Sequence, residues 1–113
     1  MSKRDWKLYF EDILECIKKI ESYTTYISYD DFIKDSKTID AVVRNLEVIG
    51  EAARQVQEDT KQKYNYIPWK EIVGLRNRVI HEYFGVDLEI VWQIINRDLK
   101  ELKGKIEKVL NGN

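Results

Sequence analysis

The sequence predicts an all-α bundle. Apolar residues recur at three-and-four spacing over most of the chain, there is one proline among 113 residues, and no stretch shows the strict alternation of a half-buried strand. A chain of this length has room for one hydrophobic core, so residues 1–113 read as a single domain. With 43% hydrophobic and 35% charged residues, that domain is folded rather than disordered.

The first helix runs from about Asp5 to Ile27, with Trp6, Phe10, Ile13, Ile17 and Ile20 on one face. Ser28, three residues before Asp31, is a capping signal for a short helix or turn through Phe32 and Ile33. Ser36 then caps a second long helix, whose stripe is Ile39, Val42, Val43, Leu46, Ile49, Ala53 and Val56. Gly50, Ala52 and Ala53 are small, and a neighbouring helix is expected to approach closely there. From Asp59 to Tyr66 the periodicity lapses. Pro68 suits the first turn of a third helix, because its missing amide would have no partner there anyway. That helix carries Trp69, Ile72, Val73, Arg76 and Ile80 and ends near Tyr83 or Phe84, with Gly85 as its C-terminal cap. Asp87 caps a fourth helix bearing Leu88, Val91, Trp92, Ile95, Leu99, Leu102, Ile106 and Val109.

Nineteen basic residues nearly balance twenty acidic ones, and a net charge of −1 exerts no global pull on polyanions. Any nucleic acid must therefore be held by a local patch, which argues against a passive coating protein. The lone Cys16 lies in an apolar stripe and reads as core packing in a reducing compartment. The N-terminus leads directly into an amphipathic pattern, so neither a signal peptide nor a membrane span is expected and the protein reads as cytoplasmic. One histidine and one distant cysteine leave only carboxylates, which show no ligand-like clustering, so neither a metal site nor a cofactor is expected.

The chemistry concentrates between Arg76 and Tyr83, which contain the only histidine, His81. RNA is cut without a metal when its 2′-hydroxyl is held in line and deprotonated, the phosphorane charge is stabilised and the leaving oxygen is protonated. Imidazole serves such proton transfers, and guanidinium forks around phosphate oxygens. At a helix C-terminus the dipole would favour the charged form of His81, and Asn77 and Arg78, four and three residues earlier, would lie beside it. Arg76 is harder to place: on a regular helix it lies about 140° around from His81. Either the arginine curls back, or the helix distorts near its end, or the site is shared between two copies across a two-fold axis. An acid and a base from one histidine per chain also require a dimer or a non-histidine partner. Against catalysis stand ordinary roles. His81 can bond terminal carbonyls, Arg76 and Arg78 can pair with Glu71, Glu82 or Asp87, and Tyr83 can sit at the core edge. Trp69 and Trp92 read as core or interface anchors.

The stretch from Ile67 to Trp92, with Ile67-Pro68-Trp69, Arg76-Asn77-Arg78, His81-Glu82-Tyr83 and Phe84-Gly85-Val86-Asp87, closely resembles the HepT-like branch of the HEPN superfamily. The run from Arg44 to Ala52 is similar to the same family's second-helix signature. The resemblance covers nearly the whole chain. It implies a HEPN-type four-helix bundle with a short extra helix or turn, forming a homodimer with a composite cleft. It also implies a metal-independent endoribonuclease toxin that leaves a 2′,3′-cyclic phosphate on RNA. The family motif of arginine, four residues, histidine, one residue and tyrosine maps onto Arg76, His81 and Tyr83 without a departure. Asn77 matches the polar residue that follows the arginine, and Arg78 is the further candidate for positioning substrate. The implied partner is a minimal nucleotidyltransferase antitoxin of the MntA type that transfers AMP from ATP to Tyr83, placing bulk and negative charge beside the catalytic pair. Two other classes stay open: a non-catalytic nucleotide- or substrate-binding subunit of a nucleotidyltransferase complex, and a purely structural helical dimer.

Overall fold

The computed structural model describes residues 5–81 and 85–112. Helix α1 spans Trp6–Thr24, α2 Tyr29–Phe32, α3 Ser36–Gln55, α4 Glu58–Lys63, α5 Trp69–Val73 and α6 Leu75–Val79. Strands β1 (Ile80–His81) and β2 (Gly85–Val86) follow, then α7 (Leu88–Gln93), a π-helical stretch Ile94–Asp98 and α8 (Leu99–Leu110). The expected all-α, HEPN-type bundle is the observed architecture.

Apolar periodicity decides which faces are inside. Phe10, Ile13, Ile17 and Ile20 of α1 meet Val42, Leu46, Ile49 and Ala53 of α3, while Leu99, Leu102, Ile106 and Val109 close the core from α8. Cys16 is buried among them, and burial pushes its thiol upward. Trp69 lies edge-on to Phe10, with ring centroids 5.5 Å apart, and its indole N–H donates to the Tyr64 carbonyl at 3.2 Å. Trp92 packs 5.1 Å from Phe32, so both tryptophans anchor the core.

Capping differs from expectation at α3. Asp35, not Ser36, is the N-cap: Oδ1 accepts from the Thr38 amide at 3.1 Å and Oδ2 from the Thr38 hydroxyl at 2.6 Å. A carboxylate offers one oxygen to each donor, whereas a serine hydroxyl would have to serve both from a single oxygen. Those bonds, the hydroxyl's first, hold the Asp35 carboxyl below the usual carboxylate range. The Ser28 and Asp87 caps form as expected, at 3.1 Å from the Asp31 and Ile90 amides. The aperiodic stretch after Gln57 folds as α4, which buries none of its residues and so leaves no apolar signature.

The third helix departs most. Gly74, with φ −88° and ψ 5°, interrupts it and separates α5 from α6. It then stops at Val79, because Ile80 is extended (φ −103°, ψ 121°) and pairs antiparallel with Val86, as His81 does with Gly85. Ile80 is half-buried in this strand as it would be in a helix, so the apolar pattern reads the same for both. Gly85 is accordingly no helix cap. Its φ of +76° places it in the left-handed region within the hairpin. The fourth helix is continuous through its π-helical stretch, where the Leu99 amide reaches the Ile94 carbonyl five residues back.

Candidate functional site

One face of α3 presents Arg44, Glu47, Glu51 and Arg54 at helical spacing, and Arg76 and Asn77 of α6 stand opposite. With Val73 and Gly50 between them, these residues line an open groove of about 570 Å³. Gly50 sets its width. A Cβ there would lie 3.1 Å from the Ile72 carbonyl oxygen and 3.3 Å from that of Val73, so only glycine lets the α5 backbone come this close.

Carboxylates hold the groove's guanidinium groups. Glu47 Oε1 is 3.8 Å from Arg76 Nε, its Oε2 is 3.9 Å from Arg44 Nη1, and Arg54 Nη2 donates to both oxygens of Glu51 at 2.5 and 2.7 Å. The Arg54 bonds hold the Glu51 carboxyl below its usual range, keeping it ionised. Arg76 remains 55% exposed, open to a larger anion.

The other candidates lie elsewhere. Arg78 donates to Asp98 Oδ2 at 2.9 Å and lines a different cavity of about 280 Å³ with Pro68, Ile72, Leu99 and Lys105. Two residues along a helix turn it about 200° from Arg76, so the structure brings Asn77, but not Arg78, into the arginine's groove. His81 lies past the end of α6 and does not line the groove; its side chain is 46% exposed and Nε2 faces Asp87 Oδ2 at 3.6 Å. The expected placement of His81 at a helix C-terminus, beside Asn77 and Arg78, is therefore overturned by the early turn into β1. Among the described residues Arg76 pairs with Glu47 and Arg78 with Asp98, neither of which was among the partners weighed from the sequence, while Glu82 lies outside the described residues. Tyr83, with Glu82 and Phe84, lies outside the described residues.

Sequence reasoning gave Glu47, Glu51 and Arg54 no role, and weighed Asp87 as a helix cap or an arginine partner but not as a neighbour of His81. The spacing of residues 44, 47, 51 and 54 carried the signal for a charged face, but nothing local says what that face meets. Among the described residues, no group of three or more His, Cys, Asp or Glu side chains is arranged to hold a metal ion. No described helix is long and apolar enough to cross a membrane.

The fold and the groove define an all-α bundle that holds an arginine and an asparagine in a half-exposed charged cleft, with a histidine on the hairpin that follows. The chain belongs to the ribonuclease HepT-like family, whose model matches residues 13–109. It is 46% identical over 95% of its length to a protein of Thermococcus cleftensis named "Probable ribonuclease HepT", covering 97% of that protein. It is 44% identical to "Putative RNase MJ1380" of Methanocaldococcus jannaschii, over 96% of this chain and all of that one. "Putative RNase TTE0752" of Caldanaerobacter subterraneus is 39% identical over 90% of this chain and 91% of its own. No solved structure gives a significant match.

Proposed function

We propose that this chain is a metal-independent endoribonuclease acting as the toxin of a two-component system. The observation that carries this reading is the exposed Arg76 guanidinium beside Asn77 in the groove, one short helix end away from the only histidine. Family membership across residues 13–109 supports RNA as the substrate.

In this reading Arg76 holds a non-bridging oxygen of the scissile phosphate and Asn77 orients the strand. His81 takes the proton of the 2′-hydroxyl as the 2′-oxygen bonds to phosphorus, and the bond to the 5′-oxygen breaks as that oxygen is protonated. The products are a 2′,3′-cyclic phosphate and a 5′-hydroxyl. One imidazole cannot be base and acid at once; in this reading the second copy of a homodimer, sharing a composite cleft, supplies the proton to the 5′-oxygen from its own protonated imidazole. Arg78 steers the strand from the neighbouring cavity. Transfer of AMP from ATP to Tyr83 by a minimal nucleotidyltransferase antitoxin, with release of pyrophosphate, silences the site by charge and bulk.

The test is cleavage of single-stranded RNA by the purified chain in excess chelator, with product ends determined. His81→Ala and Arg76→Ala are expected to reduce the rate at least a hundredfold with unchanged circular dichroism. Undiminished cleavage by folded His81→Ala rejects the assignment, and stoichiometric nucleotide binding without cleavage indicates a binding subunit instead. Coexpression with the neighbouring gene product is expected to add the mass of one AMP per modified chain, absent in Tyr83→Phe.

A further inference from the structure

Asp87 is tied down at two points. Its amide donates to the Val79 carbonyl at 2.7 Å, joining it to the end of α6, and its Oδ1 accepts from the Ile90 amide at 3.1 Å, joining it to the first turn of α7. The remaining oxygen, Oδ2, is 3.6 Å from His81 Nε2. The β1–β2 register brings the two together: Ile80 pairs with Val86 and His81 with Gly85, which places Asp87 just beyond the paired residues. A helix cap requires one carboxylate oxygen, and here the second is turned to the only imidazole in the chain.

From this geometry we infer that Asp87 is a positioning residue for His81, fixing its ring orientation and its tautomer. At 3.6 Å the contact is electrostatic rather than a direct hydrogen bond. A carboxylate facing Nε2 keeps the proton of the neutral ring on that nitrogen and leaves the Nδ1 lone pair directed away, free to take a proton from substrate. The acid is held by backbone on both sides, whereas the histidine sits on a two-residue strand with an exposed ring. The backbone-held partner therefore sets the exposed one. The consequence for catalysis rests on the proposed role of His81; the tautomer does not.

Asp87→Asn and Asp87→Ser separate this role from capping, because both residues are good N-caps. Asparagine turns an N–H donor toward Nε2, and serine is too short to reach the ring. Long-range nitrogen–proton correlation spectra of the uniformly labelled chain, with the ring neutral, read His81 without ambiguity, since no other histidine contributes. The wild type is expected to hold its proton on Nε2, Asp87→Asn to move it to Nδ1 and Asp87→Ser to show a mixture, all with unchanged melting temperature. With a fluorescent single-stranded RNA oligonucleotide, kcat is expected to fall about tenfold in both variants while KM changes less than twofold. An unchanged tautomer in both variants overturns the inference and leaves Asp87 a cap. A shifted tautomer with unchanged kcat overturns the catalytic consequence. Cleavage by His81→Ala at the wild-type rate, with the tautomer shift intact, instead rejects the proposed function while the Asp87–His81 relationship stands.

Discussion

The carboxylate of Glu47 lies 3.8 Å from Arg76 Nε, joining α3 to α6 across the groove. Its other oxygen lies 3.9 Å from Arg44. One anion thus faces two guanidinium groups.

In the proposed function, a phosphodiester held by Arg76 competes with Glu47. Exposed pairs of this kind are worth below about 1 kcal/mol, roughly a factor of five in affinity. Glu47→Gln is therefore expected to tighten RNA binding two- to fivefold at low salt, with the gain fading as ionic strength rises. Fluorescence anisotropy over a salt series checks this, and weaker binding by the variant would show that Glu47 organises the arginines rather than competing for them.

Gly50→Ala sets two effects against each other. Alanine improves helix propensity by about 1 kcal/mol, but its Cβ would press on backbone carbonyls at 3.1 and 3.3 Å, which cannot rotate away as a side chain would. Overpacking of this kind costs about 1–3 kcal/mol. A net loss of stability in urea titration is expected, together with reduced RNA cleavage, because α5 leads directly into the helix bearing Arg76. A stabilised and fully active Gly50→Ala would mean the two helices can separate freely.

Asp35 makes the stability of α3 depend on pH. Its carboxyl is held below the usual range, so its contribution is present above the unfolded value of about 3.9 and is lost as pH falls through the folded one. Asparagine caps nearly as well and does not titrate. The melting temperature of the wild type relative to Asp35→Asn is expected to drop on acidification, and parallel curves down to strongly acid pH would place the α3 cap elsewhere.

Much of the fold was legible in the residues. The stripes of α1, α3 and α8 and the caps at Ser28 and Asp87 follow from local spacing and local hydrogen bonding. Arg76, Asn77 and His81 were legible as candidates for chemistry. Their arrangement was not, since Ile80 is apolar and partly covered in either conformation, so periodicity runs past the point where α6 stops.

The sequence by itself determined the helical class, the buried faces and the residue types able to handle a phosphodiester, because periodicity, capping and side-chain chemistry act over a few neighbouring residues. Only the tertiary structure decided the partners. It paired Arg76 with Glu47, sent Arg78 to Asp98, and turned the chain at Ile80 so that His81 faces Asp87. The arginine contacts join segments some twenty residues or more apart, and the hairpin forms between two-residue strands with no periodicity of their own. Such contacts form only when packed helices bring their faces together, and a local pattern carries no record of what stands opposite.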